Sequence, residues 1–346
     1  MTSVWVVGGL CHASLRLVVL GRDVAVTLGF AVANSVPGVL LYDLSDSELT
    51  RLRGYATVIG AIWHDGPIET TVGQADALVQ DETRDVMPED MALAEHIMRL
   101  IGVVEPDRLS RRLGSLRVEA ASRVRAGGTA RRGLRVGTGE VIEVTRRVPH
   151  AGFFAVVEVV LSFRRFDGAM SGPLTREIFL AGDAVTVLPY GPVRERVLLV
   201  EQFRAGPFAR GDRHPWLLEA VAGRIDPGET PEDAARREAE EEAGLRMGDL
   251  LPVAAYYSTP GAKTEFLYSF VGLADLRDGT AGVFGLADEA EDIRGHLVAF
   301  DALIGLVASG EVNNGPLILT ALWLQRERGR LRAEAVGTRD EAARGA

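Results

Sequence analysis

The sequence from Gly223 to Leu245 reads GRIDPGETPEDAARREAEEEAGL and decides the local fold. Thr230 can cap a helix because its hydroxyl can accept a hydrogen bond from the first turn, and Pro231 suits the first helical position. Gly244 provides a natural end to the helix. These signals predict a helix over 231–243, about three and a half turns long at 3.6 residues per turn.

Three glutamates of this helix fall on one face, because Glu238, Glu241 and Glu242 are spaced i, i+3 and i+4. Arg237 lies four residues before Glu241 and can pair with it, which would orient that carboxylate. A glutamate run is usually a solvated acidic face, but that interpretation leaves the glycine-rich start and both capped ends unexplained. Clustered carboxylates need a compensating cation, and all-oxygen sites suit Mg²⁺ or Mn²⁺ with a substrate phosphate. The pattern therefore predicts metal-assisted hydrolysis of a phosphoanhydride.

Strand-like runs surround this helix in the second half of the chain. The runs at 153–166 and 196–204 precede it, those at 254–258 and 265–273 follow it, and a further helix is predicted near 314–328. Strands mixed with a few helices predict an α/β (α+β) sandwich.

A segment rich in glycine and arginine, GGTARRGLRVGTGEVIEVTRRVP, separates the two halves of the chain. We predict a first domain over 1–126 with a helical extension, a linker over 127–149 and a second domain over 150–335. The length of 346 residues agrees with two domains at roughly 100–200 residues each.

Composition excludes several classes of function. The chain has 38 basic and 48 acidic residues and a net charge of −10, which argues against non-specific binding of nucleic acid. Lys263 is the single lysine, which excludes a phosphate loop ending in Gly-Lys-Ser/Thr, and Cys11 is the single cysteine, which excludes an internal disulfide. The sequence has neither eighteen consecutive apolar residues nor the features of a signal peptide. We therefore expect a cytoplasmic protein without a membrane partner.

The same 23-residue stretch fits the pattern G-x5-E-x7-R-E-U-x-E-E-x-G-U, where U is aliphatic, and so resembles the signature of Nudix hydrolases. The fixed positions hold Gly223, Glu229, Arg237, Glu238, Glu241, Glu242 and Gly244, with Ala239 and Leu245 at the aliphatic ones. The resemblance implies a Nudix α/β/α sandwich whose three helix glutamates bind Mg²⁺ or Mn²⁺, helped by the backbone carbonyl of Ala222. It also implies supporting roles for Gly223, Glu229 and Gly244.

From about 150 to 330 the chain is similar to ADP-ribose pyrophosphatases, for example at 174–190, 215–226 and 286–300. The resemblance implies a homodimer that hydrolyses ADP-ribose, or a related nucleoside diphosphate sugar, to AMP and ribose 5-phosphate. The residues it implies for substrate binding are Arg176, Arg204 and Glu265; for an additional metal ligand, Glu291; and for catalysis, Glu241, Arg237 and, as general base, Glu289.

The N-terminal stretches 4–22 and 37–55 resemble the start of a γ-glutamylcyclotransferase-like domain, a small β-barrel with helices. That family has a Tyr-Gly-Ser/Thr-Leu turn, whereas this chain has Val7-Gly8-Gly9-Leu10, and the glutamate expected beside Gly38 is missing. We therefore expect a degenerate domain with a structural or regulatory role. Its order before a Nudix domain resembles tellurite-resistance-associated Nudix proteins.

Three alternatives stay open at this point. The substrate could be another nucleotide sugar or a dinucleotide such as NADH, the second domain could bind a nucleotide without turnover, or the first domain could be an active cyclotransferase. The intact glutamate set argues against a sensor. His214 and His296 each stand alone in the sequence, which favours structural or surface roles for both.

Overall fold

The computed structural model describes residues 3–7, 26–31, 36–42, 44–65, 87–128, 139–285 and 291–344. Contacts divide the chain into two compact units. Unit 1 runs to Gly182 and includes 262–264, and unit 2 consists of 183–261 and the residues from Glu265 onward. This division falls later in the chain than the predicted border at 150, and the predicted three-part organisation stays a prediction.

Unit 1 begins with a four-stranded antiparallel sheet in the order β2-β3-β1-β4. Its strands are β1 (Ser3–Val7), β2 (Val26–Ala31), β3 (Val36–Tyr42) and β4 (Ile62–Asp65). The described pairings leave β2 and β4 at the edges of the sheet, so a closed barrel stays a prediction. Residues 8–10 of the degenerate turn lie outside the described residues.

The described residues of unit 1 form four helices: α1 (Asp46–Ile59), which lies between β3 and β4 in the chain, and α2 (Pro88–Leu100), α3 (Pro106–Ser110) and α4 (Leu113–Gly127) after them. Helix α1 begins with a capping box, because the Ser45 hydroxyl accepts from the N–H of Glu48 while the Glu48 carboxylate accepts from the N–H of Ser45. Between α2 and α4 the buried Glu119 accepts from Arg112 at 2.9 Å and contacts His96 at 2.6 Å.

Unit 1 also contains a three-stranded antiparallel meander, β5 (Val141–Ala151), β6 (Ala155–Phe163) and β7 (Leu174–Leu180). Most of strand β5 lies within 127–149, the range predicted as linker. Its side chains are largely exposed and include two adjacent arginines, and both features resemble those of a linker. The tertiary pairing with β6 stabilises the strand instead.

Unit 2 is built on one mixed sheet. Its strands are β8 (Ala184–Gly191), β9 (Arg196–Phe203), β10 (Trp216–Glu219), β11 (Val221–Arg224), β12 (Leu250–Tyr257), β13 (Phe266–Leu273), β14 (Val283–Phe284) and β15 (Ile293–Ala299). The main path is β12-β13-β8-β9-β15-β14, with β10 on β9 and β11 on β8. Strands β13 and β8 run parallel, and the other pairs are antiparallel.

Helices cover both faces of this sheet. They are α5 (Ala205–Arg210), α6 (Pro231–Ala243), α7 (Phe300–Ser309) and α8 (Gly315–Arg344). The alanines of α6 pack on one face with Val185 and Val187, and residues of α7 and α8 pack on the other with Leu188 and Tyr190. This alternation along β8 confirms the predicted α/β sandwich. Helix α8 extends well past the predicted end at 328.

In the described part of the chain, every helix is too short or too polar to cross a lipid bilayer.

Candidate active site

Helix α6 begins and ends as predicted. The Thr230 hydroxyl accepts from the N–H of Asp233 at 3.1 Å, and Pro231 occupies the first turn. Gly244 ends the helix with a φ of 61°, and its N–H bonds the carbonyls of the last turn. A left-handed conformation at this position favours glycine, so the sequence fixes the length of the helix that carries the glutamates.

Arg237 organises the carboxylates around α6. Its Nε and Nη2 bind the two oxygens of Glu229 at 2.8 and 3.0 Å, and Nη2 also donates to the carbonyl of Arg224. Its Nη1 donates to Glu238 at 2.7 Å and to Glu241 at 3.0 Å. The predicted pairing with Glu241 is present, but the bidentate partner is Glu229, whose pKa this arginine lowers. Arg237 therefore ties the loop before α6 to the acidic face of the helix.

The carboxyl groups of Glu242 and Glu238 on α6 are largely shielded from water. Glu242 is 2% exposed and accepts from the N–H of Ala222 at 3.0 Å. Burial raises the pKa of Glu242 to about 8 and that of Glu238 to about 7, and the negative charge of Glu291 adds to both shifts. Ala222 thus meets Glu242 through its N–H, and a role for its carbonyl stays a prediction.

Gly223 makes room for Glu238. A Cβ at this position of β11 would overlap the Glu238 carboxylate, so any larger residue would displace that carboxylate from the place it holds beside β11. The function of this glycine is steric, which its place in the sequence pattern alone did not explain.

Gly223→Ala is expected to lower kcat/KM at least about tenfold, because the methyl group forces Glu238 out of its place, and misplacing a catalytic group by about 1 Å can cost a hundredfold. Steady-state kinetics of the variant measure the effect. Gly305→Ala in α7 is the matched control, because an added Cβ there meets nothing within 4 Å. Equal kinetics for the two variants would contradict the steric role of Gly223.

Arg204 follows β9 and binds a buried carboxylate. Its Nε donates to Glu219 at 2.9 Å, and Asn314 donates to the other oxygen of Glu219 at 2.9 Å. Burial raises the pKa of Glu242, and the positive charge of Arg204 opposes that rise, so the guanidinium acts on the acidic face of α6. The resemblance implied a substrate contact for Arg204, and the sequence held no signal for its partners Glu219 and Asn314.

The structure brings some of the other predicted residues to this site. Glu291 is close to α6, since its charge acts on Glu238 and Glu242. Glu265 accepts from the Ser258 hydroxyl at 2.7 Å, where β12 ends and β13 begins in unit 2. Arg176 is exposed on β7 and belongs to unit 1. Glu289 lies outside the described residues.

His214 and His296 line a cavity of about 640 Å³ in unit 2. His296 contacts Glu201 at 2.8 Å, and Trp216 forms part of the wall. Glu201 pairs with Leu218 across the strands, and Glu219 pairs with Val200, so the two glutamates point to opposite faces of the sheet. The histidines therefore belong to the face away from Arg204.

Comparison with known proteins agrees with this geometry. The family model described as NUDIX domain matches residues 181–319. ADP-ribose pyrophosphatase of Escherichia coli (strain K12) is 40% identical over 189 residues, which are 55% of this chain and 90% of that protein. The chain belongs to the Nudix family. The Haemophilus influenzae ADP-ribose pyrophosphatase is 37% identical over 51% of this chain and 82% of its own. GDP-mannose pyrophosphatase of Salmonella choleraesuis is 33% identical over a stretch that covers 43% of this chain and 77% of that protein.

These matches confirm the predicted Nudix fold and the predicted enzyme class, a Nudix pyrophosphohydrolase. The NUDIX match includes all of α6, together with Arg204, Glu265 and Glu291. Unit 1 lies almost entirely outside it.

The chemistry of the Nudix helix fits a divalent cation. Its acidic face offers carboxylate oxygens, which Mg²⁺ and Mn²⁺ prefer, and burial raises the pKa of two of these carboxylates. Within the described residues, no three acidic, histidine or cysteine side chains converge as metal ligands. Arg237 and the Ala222 N–H hold the glutamates instead. The donor set agrees with the divalent metal that the family generally uses.

Proposed function

We propose that this Nudix enzyme hydrolyses the diphosphate bond of ADP-ribose, giving AMP and ribose 5-phosphate, and that it uses Mg²⁺ or Mn²⁺. The observation that carries the proposal is the acidic face of α6, organised by Arg237 and with Arg204 nearby. A diphosphate needs both positive charge and metal to be held and cleaved. The relatives named as ADP-ribose pyrophosphatases support this substrate.

The ligands proposed for the cation are Glu238, Glu241, Glu242 and Glu291, with the carbonyl of Ala222. A divalent cation held there neutralises the charge of a diphosphate and makes water more acidic. Arg237 fixes Glu238 and Glu241 from one side. Gly223 and Glu229 support this arrangement from the preceding strand and loop, and Gly244 by ending the helix.

Substrate recognition and proton transfer are assigned to residues around this face. Arg204 would donate to a phosphate, because a guanidinium suits the geometry of phosphate oxygens. Arg176 and Glu265 are proposed as further substrate contacts. Glu289 is proposed as the general base that takes the proton from the attacking water, in a segment that must come within hydrogen-bond reach of that water.

A second candidate substrate class comes from the GDP-mannose pyrophosphatase relatives. Another nucleoside diphosphate sugar keeps the same diphosphate and the same chemistry, and differs only in the base and the sugar that the site accepts. This alternative makes the substrate panel the decisive measurement.

Purified protein is expected to hydrolyse ADP-ribose with Mg²⁺ and to lose activity in EDTA, because the carboxylates then lack their cation. The panel contains ADP-ribose, ADP-glucose, GDP-mannose, NADH and diadenosine polyphosphates, with kcat/KM measured for each. A higher kcat/KM for any other compound would overturn the ADP-ribose assignment. Full activity in EDTA would overturn the metal site.

Two further proposals rest on resemblance to known families: a homodimer, and a two-domain arrangement like that of tellurite-resistance-associated Nudix proteins. The sequence itself supports a cytoplasmic location without a membrane partner, and its net charge of −10 argues against nucleic acid as a partner.

A further inference from the structure

Glu219, at the end of β10, is a buried carboxylate with both oxygens engaged. It is 6% exposed. Its Oε2 accepts from Nε and Nη2 of Arg204 at 2.9 and 2.5 Å, and its Oε1 accepts from Nδ2 of Asn314 at 2.9 Å. A buried carboxylate is costly unless it is paired and hydrogen-bonded. Here the pairing is directed to a single, partly exposed arginine.

Asn314 is held by the start of α8. Its Oδ1 accepts from the N–H of Leu317 at 3.1 Å, so the amide oxygen caps the helix while the amide nitrogen donates to Glu219. An asparagine can do both, because its side chain has one accepting and one donating end. An aspartate would keep the cap but place a second negative charge against Glu219.

Glu219 thereby holds the guanidinium of Arg204 by one of its edges. The backbone N–H of Arg204 donates to the carbonyl of Pro215 at 2.9 Å, and the side chain is 39% exposed. Nε and Nη2 face Glu219, whereas Nη1 has no hydrogen-bond partner within the part of the chain that the structure describes. One donor edge is therefore used by the protein and the other is left for a ligand.

We infer that Glu219 and Asn314 are positioning residues for Arg204, which present its Nη1 edge to a substrate phosphate and keep the guanidinium from pairing with the glutamates of α6. The inference rests on the proposed function, because it assigns Arg204 to a diphosphate. It adds two residues from outside the sequence pattern, separated by 95 positions in the chain.

The test is a double-mutant cycle on Glu219→Gln and Arg204→Ala. Glu219→Gln keeps the shape and removes the charge, and it is expected to raise KM about tenfold, the size expected for one charge-assisted hydrogen bond. Because Glu219 acts through Arg204, adding Glu219→Gln to Arg204→Ala should change KM less than twofold. The Kd for ADP, a nucleoside diphosphate probe, is measured by calorimetry without metal and should follow the same pattern.

Three further variants separate positioning from folding. Asn314→Asp and Asn314→Ser both retain an oxygen that can cap α8, but only the aspartate repels Glu219, so Asn314→Asp should raise KM more. Glu201→Gln is the matched control on the neighbouring strand, where the carboxylate meets His296 on the opposite face of the sheet. Its KM and its Kd for ADP should equal those of the wild type.

The inference would be overturned if Glu219→Gln raised KM and Kd equally in the wild type and in the Arg204→Ala variant. Such a result would show that Glu219 acts without Arg204. Unchanged values for Glu219→Gln would overturn it as well. The cycle uses whichever compound of the panel is hydrolysed best, and the ADP measurement needs no turnover. A wrong substrate proposal is therefore recognised from the panel, separately from the result of the cycle.

Discussion

Glu242→Gln is expected to lower kcat/KM about a thousandfold, the size found when a group that stabilises transition-state charge is removed. The same substitution is expected to leave the folded protein at least as stable as the wild type. Glu242 is buried, and burial raises its pKa to about 8. A glutamine keeps an oxygen for the Ala222 N–H and removes a carboxyl whose ionised form is costly when buried. Activity and stability are therefore expected to respond in different directions.

Steady-state kinetics with Mg²⁺ and thermal unfolding without it measure the two effects. Glu240→Gln is the matched control, because Glu240 lies on the same helix with an exposed side chain and only a loose contact to Arg246 at 3.5 Å. Glu241→Gln should also slow turnover strongly, since it removes a carboxylate that Arg237 orients. Equal kinetics for Glu242→Gln and Glu240→Gln would contradict the proposed metal site.

Local sequence signals predicted α6 and its glutamates because every determinant lies within one short segment. The Thr230 cap, the Gly244 end and the Arg237–Glu241 pair involve residues three or four positions apart, or single residues with strong conformational preferences. Such features depend on helix geometry alone. They needed no knowledge of which strands are neighbours.

The partners that complete the site come from elsewhere in the chain. Glu219 meets Arg204 after a separation of 15 residues and Asn314 after 95. Gly223 faces Glu238 only because β11 pairs with β8 and α6 packs against it. Strand pairing determines these contacts, and sequence periodicity does not reveal which strands pair.

Strand β5 shows the same limit in unit 1. It contains two adjacent arginines, Arg146 and Arg147, and it follows a segment rich in glycine and arginine, so local signals favoured a linker. The structure pairs it along its length with β6, and Arg147 forms an ion pair with Glu158 across the two strands. A half-exposed strand of this kind is defined by its neighbour and not by a hydrophobic alternation of its own.

Without a divalent cation, the contribution of Glu242 to stability is expected to fall as pH rises from about 4.5 to about 8. In this window the folded state holds a proton at Glu242 that the unfolded state has released, because the folded pKa is raised to about 8. The folded state binds more protons there, so the free energy of unfolding decreases with pH. Glu238, with a pKa of about 7, acts in the same direction over a narrower range.

The difference in Tm between the wild type and Glu242→Gln isolates this effect, since both proteins share every other titrating group. His96, whose pKa is lowered by burial, opposes the trend below about 6.5 but cancels in the difference. One pKa unit corresponds to about 1.4 kcal/mol. The Tm of Glu242→Gln should therefore rise by several degrees relative to the Tm of the wild type between pH 5 and pH 8.5. Parallel pH profiles for the two proteins would contradict the raised pKa.

Divalent cation should reverse the loss, because it binds the ionised carboxylates and competes with their protons. Mn²⁺ or Mg²⁺ is therefore expected to raise the Tm of the wild type more at pH 8.5 than at pH 6, and to have little effect on Glu242→Gln. Sodium chloride at matched ionic strength controls for screening of surface charge. An equal rise at both pH values, or in both proteins, would show that the cation acts at another place than the acidic face of α6.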